Sequence, residues 1–502
     1  MILKSFQILI FHFLFISTGI FTTQSNHGLS QWSSQQTIPG YHQETWPPIL
    51  LADQNRTVHA FSSQWLGDGG GNGRRAIVYN RWTLDQGWNE PIDILLPQLK
   101  DDARLTSAVL DQEGIVHIVF MSGDNTQANM YYSQAPVLYA GKASAWSEPS
   151  LVAENVQTPE NGAIFVRDSL NLGILFAGSE KGNGIYASYS NDSGEEWSDP
   201  VLILNTSNIE MMVTNLKLYQ GKSGQVHAVW NEITSGGQGR GIYFTTSKIG
   251  NPNWTTPIKI AEAESGYGTN TPAIIENNGE VYAFYNLNGI MMRRSLDGGA
   301  NWSTPLSIFS RHVGVNGSLS PVIDSKGELH LFFGQRITGN PDIHGMWHSM
   351  WDGNKWSEPE AIVSGPGVAD QVGEKAFDPY EASAVVSQGN LLLVTWRSDP
   401  GLKGNGVWYS FKILDAPELP IVALPPIQLE TTPVSTAAVF KPTPTTQNEQ
   451  SYQYVELSSN DLKNVAEPVS NPNEPLAVGI VPTILSILII SGVIAYKRKF
   501  NR

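Results

Sequence analysis

The 502-residue sequence contains no cysteine, and charged residues make up only 15% of it. Without cysteine the chain can form neither disulfides nor zinc–thiolate or iron–sulfur sites, and it has no cysteine nucleophile. The few charges are also unbalanced, because 31 lysines and arginines stand against 46 aspartates and glutamates, a formal net charge of −15. A protein that follows a nucleic-acid backbone needs a basic surface, so we expect no nucleic-acid partner.

Aromatic residues and glycine are abundant, with 15 Trp, 17 Tyr, 18 Phe and 47 Gly. This composition is typical of a turn-rich all-β protein. The sequence has no complete phosphate loop, no Gly-x-Ser-x-Gly nucleophile elbow and no His-Glu-x-x-His zinc motif. We therefore predict an all-β fold without cofactor or metal.

Both ends of the chain have the pattern of membrane-targeting segments. An apolar stretch from Ile8 to Phe21 follows Lys4, which is typical of a secretory signal peptide, here assigned to residues 1–25. Residues 476–496 carry no charge and would span about 31 Å as a helix at ~1.5 Å per residue, and a basic tail, 497–502, follows them. The positive-inside rule predicts a single-pass cell-membrane protein with a cytoplasmic tail and an extracellular N-terminal ectodomain.

A change of composition separates this predicted transmembrane helix from the rest of the chain. Residues 415–475 are rich in Pro, Thr, Ser, Asn and Glu and have no sustained apolar period. Such a segment cannot bury enough apolar surface to fold. We predict a disordered stalk.

The ectodomain is built from repeats. A motif of Trp, a small polar residue, a spacer and Pro recurs every 48 to 58 residues, starting at Trp88, Trp146, Trp197, Trp254, Trp302 and Trp356. Seven apolar strand segments alternate with it, starting at Val58, Val116, Ile174, Val226, Val281, Leu329 and Leu391. Repeats of about 50 residues with four short strands are typical of β-propeller blades. We predict a seven-bladed β-propeller over residues 31–414.

The seventh unit lacks its own Trp-led strand, and a spare one precedes the first unit at Trp32 to Ile38. We predict that this segment completes the seventh blade and closes the ring, which removes the open sheet edges of a linear array. A six-bladed, sialidase-type ring is the alternative, but it leaves one unit unexplained.

Two turns share the motif Ser-x-Asp-x-Gly-x-x-Trp. Its residues are Ser190, Asp192, Gly194 and Trp197 in one turn and Ser295, Asp297, Gly299 and Trp302 in the other. Asp can accept backbone N–H bonds across a turn, Gly adopts a conformation closed to other residues, and Trp packs between sheets. In this motif the ectodomain resembles the Asp-box (bacterial neuraminidase) repeat proteins of the sialidase-like superfamily. The resemblance implies that these residues are structural and lie on the face opposite the ligand site.

The resemblance also implies which residue types a sialidase-type enzyme would need: three arginines that clamp a carboxylate, a Tyr nucleophile paired with Glu, and an Asp acid/base. Such residues occur in the loops that enter the first strand and leave the second strand of several units. The candidates are Arg104, Arg336, Arg397, Tyr380, Glu381, Glu232 and Asp102. Their order departs from the family pattern, because no Arg-Ile-Pro motif precedes the first complete box and sialidases are typically six-bladed.

Three functions remain open at the level of sequence. The first, which we favour, is a monomeric cell-surface propeller that binds an extracellular ligand, with a glycan as the expected class, through aromatic residues such as Trp46, Trp65 and Trp230. The second is a sialidase-like glycoside hydrolase, and the third is a scaffold for protein ligands. Four histidines recur in one register of the repeat, at His59, His117, His227 and His330, and this recurrence favours a shared packing role over metal binding.

Overall fold

A computed structural model of the chain describes residues 31–422 except for 42–44, 68–72, 101, 125–126, 157–160, 249–252, 264–268, 288, 310–317, 336–343, 366–378 and 399–405. Their strands form seven antiparallel sheets, each pairing strands in chain order from the inner to the outer edge. Inner strands of consecutive sheets contact one another around a ring. The fold is an all-β, seven-bladed propeller, as the repeats predict.

The strands follow the chain with one exception, β1 (Gln36–Thr37), which joins the last blade. Blade one contains β2 (Ile49–Ala52), β3 (Val58–Leu66), β4 (Arg74–Thr83), β5 (Gly87–Trp88) and β6 (Ile92–Leu95). Blade two contains β7 (Ala103–Leu110), β8 (Ile115–Gly123), β9 (Ala128–Pro136) and β10 (Ser150–Ala153), with 3-10 turns at Val137–Tyr139 and Ala143–Ala145. Blade three contains β11 (Gly162–Val166), β12 (Leu172–Gly178), β13 (Gly184–Ser190) and β14 (Val201–Asn205).

The second half of the ring repeats this order. Blade four contains β15 (Met211–Gln220), β16 (Gln225–Thr234), β17 (Gly239–Lys248) and β18 (Ile258–Glu262). Blade five contains β19 (Asn270–Asn277), β20 (Glu280–Asn286), β21 (Ile290–Ser295) and β22 (Leu306–Ser307). Blade six contains β23 (Ser320–Ile323), β24 (Leu329–Gln335), β25 (Gly345–Trp351) and β26 (Glu360–Ser364), and blade seven contains β27 (Tyr380–Ser387), β28 (Leu391–Ser398) and β29 (Gly406–Ile413).

The N-terminal segment closes the ring. In β1, Gln36 pairs with Tyr409 and Thr37 with Trp408 of β29. The backbone N–H of Ser33 donates to the Phe411 carbonyl at 2.9 Å, which extends the pairing toward the N-terminus. The predicted closure by residues 32–38 is therefore confirmed, and the six-bladed alternative is excluded.

Side chains from one blade satisfy the backbone of the next. The Ser63 hydroxyl of blade one accepts the Leu105 N–H of blade two at 2.7 Å, and the Ser320 hydroxyl of blade six accepts the Ala384 N–H of blade seven at 2.9 Å. An unpaired N–H at a buried edge costs free energy. These contacts remove that cost and set the register between blades.

The two box turns, Ser190–Trp197 and Ser295–Trp302, have the same hydrogen bonds. In the second, the Ser295 hydroxyl donates to Asp297 at 2.8 Å and accepts the Gly299 N–H at 2.8 Å. Asp297 also accepts the Asn301 backbone N–H at 2.8 Å. The Asn301 side-chain amide is the largest of the interactions that lower the pKa of Asp297 to about 2. Both aspartates are therefore bound within their own turns, which agrees with a structural role.

Each box turn also packs on the preceding blade. Gly194 has φ of +84°, and a Cβ there would overlap the ring of Tyr132. The Trp197 ring meets the same Tyr132 edge-on, with 5.3 Å between centroids. In blade five, Gly299 and Trp302 contact Phe244 in the same way.

Gly194→Ala should destabilise the protein much more than Gly353→Ala. Both glycines have positive φ, +84° and +95°, but Gly353 has open space where its Cβ would lie. Gly353→Ala, the control, should lower the free energy of unfolding by about 1 kcal/mol, because alanine disfavours the left-handed backbone. Gly194→Ala should lower it by about 3 kcal/mol, because overlap with Tyr132 adds an overpacking cost. Equal losses in denaturant unfolding would contradict this packing role.

The four recurring histidines occupy one structural position. His59 and His117 each hydrogen-bond a tyrosine on the next strand and an aspartate six residues earlier, with Nε2 3.2 Å from the aspartate in both blades. In blade four that aspartate is replaced by Gly221, and Glu276 of blade five occupies the space at 3.1 Å from His227. These contacts fit the predicted packing role.

The fourth histidine connects blade six to the closing segment. His330 Nδ1 lies 2.9 Å from His348 Nε2, and His348 Nδ1 lies 3.6 Å from Glu360, which Lys412 of β29 contacts at 2.7 Å. Trp32 covers His348, with 5.3 Å between ring centroids. Burial lowers the pKa of His348 to about 4, and hydrogen bonding from His348 lowers the pKa of Glu360 to about 2.

Acidification should therefore weaken the closed ring in two steps. The unfolded chain binds a proton at His348 near pH 6.5 but the folded chain only near pH 4, so the free energy of unfolding should fall by about 3 kcal/mol between these values. Below pH 4.5 protonation of Glu360 in the unfolded chain adds a second loss. Denaturant unfolding from pH 7.5 to 3 measures both. His348→Gln should flatten the first step, and an unchanged slope would contradict this interpretation.

The chain does not leave the propeller at Leu414. Residues 415–422, which we call the strap, lie along the turns between the first and second strands of blades six, seven and one. The Ser325 hydroxyl donates to the Pro417 carbonyl at 2.5 Å, the Leu419 N–H to Gln388 at 2.8 Å and the Val422 N–H to Gln54 at 3.2 Å. The first eight residues of the predicted stalk are thus part of the folded unit, and 423–475 lie outside the described residues.

No helix within the described residues is long and apolar enough to cross a membrane. The segments predicted as signal peptide and transmembrane helix, 1–25 and 476–496, lie outside those residues.

Candidate functional site

One face of the propeller carries nearly all of the candidate residues. On this face, which we call the mouth face, each inner strand begins and each second strand ends. The box turns lie on the opposite face, because they follow third strands, and so does the strap, because it lies along the turns between first and second strands. The candidate site and the structural turns are thus separated, as the resemblance implies.

At blades one and two, two arginines surround a tryptophan. The guanidinium carbons of Arg75 and Arg104 lie 5.2 and 5.7 Å from the ring centroid of Trp46. Asp102 contacts both, with Arg75 Nε 3.0 Å from Oδ1 and Arg104 Nε 2.6 Å from Oδ2. We call these four residues the tryptophan cluster. Its charged side chains are only 12 to 21% exposed, so their positions are well defined by packing.

The other two aromatic candidates are placed differently. Trp65 is half-buried on β3, and its indole packs on Gly67 and Gly73 at the ends of the glycine-rich loop. Trp230 is only 1% exposed and stacks on Tyr243 within the blade. Trp230 is buried because the second strand of blade four is covered on both faces. The sequence pattern predicts it at the rim, in contact with a ligand, and the structure does not place it there.

Blade seven brings Tyr380, Glu381 and Arg397 together. The Arg397 guanidinium lies 5.5 Å from the Tyr380 ring centroid, and its Nε lies 3.9 Å from Glu381 Oε2. Regular alternation would direct Tyr380 and Glu381 to opposite faces. However, the register shifts between Tyr380 and Ser383, and Glu381 has φ of +57°. The irregular strand start therefore lets these neighbours share one arginine.

The same irregularity occurs in two other blades. The pairing shifts between Thr214 and Lys217 in β15 and between Asn270 and Ala273 in β19. Asn215 has φ of +53° and Thr271 has φ of +43° at the position equivalent to Glu381. A left-handed residue other than glycine costs about 1–2 kcal/mol, and such strain often marks functional sites.

Glu232 serves the local structure. It is 3% exposed and accepts hydrogen bonds from the Ser207 N–H at 2.5 Å, the Ser207 hydroxyl at 2.8 Å and the Tyr243 hydroxyl at 3.1 Å. These bonds hold the loop before β15 against blade four. A carboxylate engaged in this way is poorly placed to act as a base on a ligand.

The remaining predictions concern Arg336 and the absence of metal. Arg336 lies outside the described residues, so the convergence of three predicted arginines stays a prediction. Within the described part of the chain, no group of three acidic or histidine side chains could hold a metal ion. His348, which shares a strand face with His344, is engaged with His330.

A separate cavity of about 480 Å³ lies between the outer parts of blades two and three. Trp197, Phe176 and Tyr186 form apolar walls, and Glu154, Glu180 and Asp199 line it with negative charge. This cavity has no cationic lining and is distinct from the tryptophan cluster.

Sequence reasoning missed Arg75 and Lys217. Arg75 is the second residue of the third strand of blade one, and its neighbour Arg74 has the same charge, so the sequence does not distinguish the two. Lys217 lies in the middle of an inner strand, where a charge is unexpected and could have been noticed. Its side chain is exposed, yet the surrounding blades enclose it in the channel, and this enclosure lowers its pKa while Glu381 raises it.

The sequence matches no protein-family model and no curated protein. Solved structures with a similar fold include a protein of unknown function from Dyadobacter fermentans, with 14% identity over 76% of this chain and 99% of that chain and a TM-score of 0.46. A PL25 ulvan lyase bound to -[GlcA(1-4)Rha3S]- has 11% identity over 75% and 94% of the two chains and a TM-score of 0.49. A Trypanosoma rangeli sialidase in complex with sialic acid has 13% identity over 77% and 58% and a TM-score of 0.42.

At these identities and TM-scores the likenesses carry no argument about function. The seven-bladed architecture rests on the sheet topology of the chain itself.

Asp102→Ala should destabilise the protein by about 1–3 kcal/mol, because it leaves two partly buried arginines next to each other without their shared carboxylate. Glu262→Ala is the matched control, since it breaks an exposed ion pair with Lys259 and should cost less than about 0.5 kcal/mol. Chemical denaturation measures both. Similar small losses would mean that Asp102 does not hold the tryptophan cluster.

Proposed function

We propose that this protein binds a glycan bearing an acidic group at the mouth face of its propeller. The observation that carries this proposal is the tryptophan cluster, in which the indole of Trp46 lies next to two guanidiniums and Asp102 contacts both of them. An indole offers an apolar face to the C–H side of a sugar ring, and guanidinium groups recognise carboxylates with directional hydrogen bonds.

The charge of the cluster supports an anionic ligand. The whole chain carries a net charge of −15, but two of the four residues of the cluster, Arg75 and Arg104, are cations. Two neighbouring guanidiniums can bind a ligand carboxylate through charge-assisted hydrogen bonds. Because Asp102 fixes both arginines before binding, little side-chain entropy remains to be lost.

The proposal extends to the whole chain. We propose that the protein is a monomeric, sialidase-like Asp-box propeller. The signal peptide 1–25 directs it to secretion, and the helix 476–496 holds it at the cell surface. The matching hydrogen bonds of the two box turns support the family assignment. The strap leaves the propeller on the face opposite the tryptophan cluster.

A second candidate is glycoside hydrolysis by the same face. It is favoured by the contact of Tyr380 and Glu381 with Arg397, since a tyrosine nucleophile needs a nearby carboxylate to accept its proton. A protein-binding scaffold remains the third candidate if neither binding nor turnover of glycans is observed.

Binding to an array of neutral and acidic glycans by the full-length protein in detergent tests the proposal. Arg104→Ala should weaken binding to acidic glycans about tenfold to a hundredfold, because a charge-assisted hydrogen bond contributes about 1.5–3 kcal/mol. Trp46→Ala should weaken binding as well. Arg167→Ala is the control, since Arg167 is exposed on the opposite face and should have no effect.

Two outcomes would overturn this proposal. One is equal binding of neutral and acidic glycans, and the other is unchanged binding in both Trp46→Ala and Arg104→Ala. Release of a fluorophore from a sialoside by the wild type, lost in Tyr380→Phe, would instead establish the hydrolytic candidate.

A further inference from the structure

Lys217 is a cation inside the central channel. It lies on β15, the inner strand of blade four, and is exposed to the channel rather than packed between sheets. It interacts electrostatically with Glu381 on β27, the inner strand of blade seven. Blades four and seven are not neighbours in the ring, so this interaction crosses the channel.

Arg397, on the neighbouring strand β28 of blade seven, approaches the same carboxylate. Its Nε lies 3.9 Å from Glu381 Oε2 and makes no hydrogen bond to any described residue. The Glu381 carboxylate thus interacts with a lysine of blade four and with an arginine of its own blade. Two cations around one carboxylate are the arrangement that proteins use to bind an acidic ligand group.

The backbone of Glu381 indicates that this carboxylate is held in place under strain. Its φ of +57° is in the left-handed region. The strand pairing stops after Tyr380 and resumes at Ser383, so Glu381 lies within the interruption. A residue at such a bulge can turn its side chain without breaking the ladder beyond it. The bulge next to Lys217 in β15 allows a side chain of blade four to turn in the same way.

We propose that the space between Lys217 and Arg397 is a second anion subsite, which Glu381 occupies in the free protein and an acidic group of the ligand takes over. This rests on the proposed function, because the ligand is the glycan bound at the tryptophan cluster. The ligand class is then an acidic oligosaccharide with at least two negative charges, such as an oligouronate.

The proposal explains why a lysine is tolerated at this position. Enclosure in the channel disfavours the charged amine and lowers the pKa of Lys217, and the single carboxylate of Glu381 offsets this only in part. A ligand carboxylate that binds Lys217 and Arg397 replaces Glu381, since two carboxylates cannot share the space without repulsion.

Binding of trigalacturonate and galacturonate to the full-length protein separates the two subsites. Glu381→Gln keeps the shape but removes the competing charge, and it should tighten trigalacturonate binding by about fivefold to tenfold. Lys217→Met keeps the side-chain length without the charge and should weaken it about tenfold. Lys259→Met, on the outer strand of blade four, is the control and should change the binding of neither trigalacturonate nor galacturonate.

A second measurement does not depend on the glycan. Acetate is the smallest carboxylate probe, and it should slow the reductive methylation of Lys217, followed by peptide mass spectrometry, more strongly in Glu381→Gln than in the wild type. The inference is wrong if acetate leaves Lys217 equally reactive in both, or if Glu381→Gln weakens trigalacturonate binding. Protection of Lys217 together with unchanged glycan binding in both Trp46→Ala and Arg104→Ala would overturn the proposed function but leave the second subsite intact.

Discussion

The pairing of β1 with β29 is the constraint on which the rest of this structure depends. When the last sheet of a ring contains strands from both ends of the chain, ladder hydrogen bonds join those two ends and close the ring. Two residues of β1 pair with β29 in the ladder itself. The backbone of Ser33 extends the pairing along β29, and the Trp32 ring packs on Phe332 of blade six. Closure therefore fixes blade seven against both of its neighbours.

Closure also determines where chemistry can occur. Because every inner strand begins on one face, the ring brings side chains from distant parts of the sequence to one channel mouth. The tryptophan cluster draws on blades one and two, whereas Glu381 and Lys217 face each other from blades seven and four. Interblade contacts such as that of Ser63 with Leu105 keep these walls in register. A cluster of this kind has no local sequence motif, since its spacing is set by the diameter of the ring.

The repeats allowed the blade number, the strand order and the closing segment to be predicted, because each depends on local periodicity. The box turns could be predicted for the same reason. Trp230 illustrates the limit: strand order places it near the rim, but its ring is stacked on Tyr243 and only 1% of the residue is exposed. The bulge at Glu381 was equally hidden, since a glutamate in the left-handed region leaves no signal in the sequence. The strap was missed because its composition resembles that of the stalk, and the ion pairs of Asp415 with Lys326 and of Glu418 with Arg56 have no local sequence pattern.

The strap decides how the propeller responds to mechanical load. Tension applied through the chain beyond Val422 first reaches the Val422–Gln54 hydrogen bond to blade one, then the Leu419–Gln388 bond to blade seven and the Pro417–Ser325 bond to blade six. Without these bonds the pull would act directly on the end of β29 and peel it from its sheet, one ladder bond at a time. With them, three blades share the force before the strand that closes the ring is loaded.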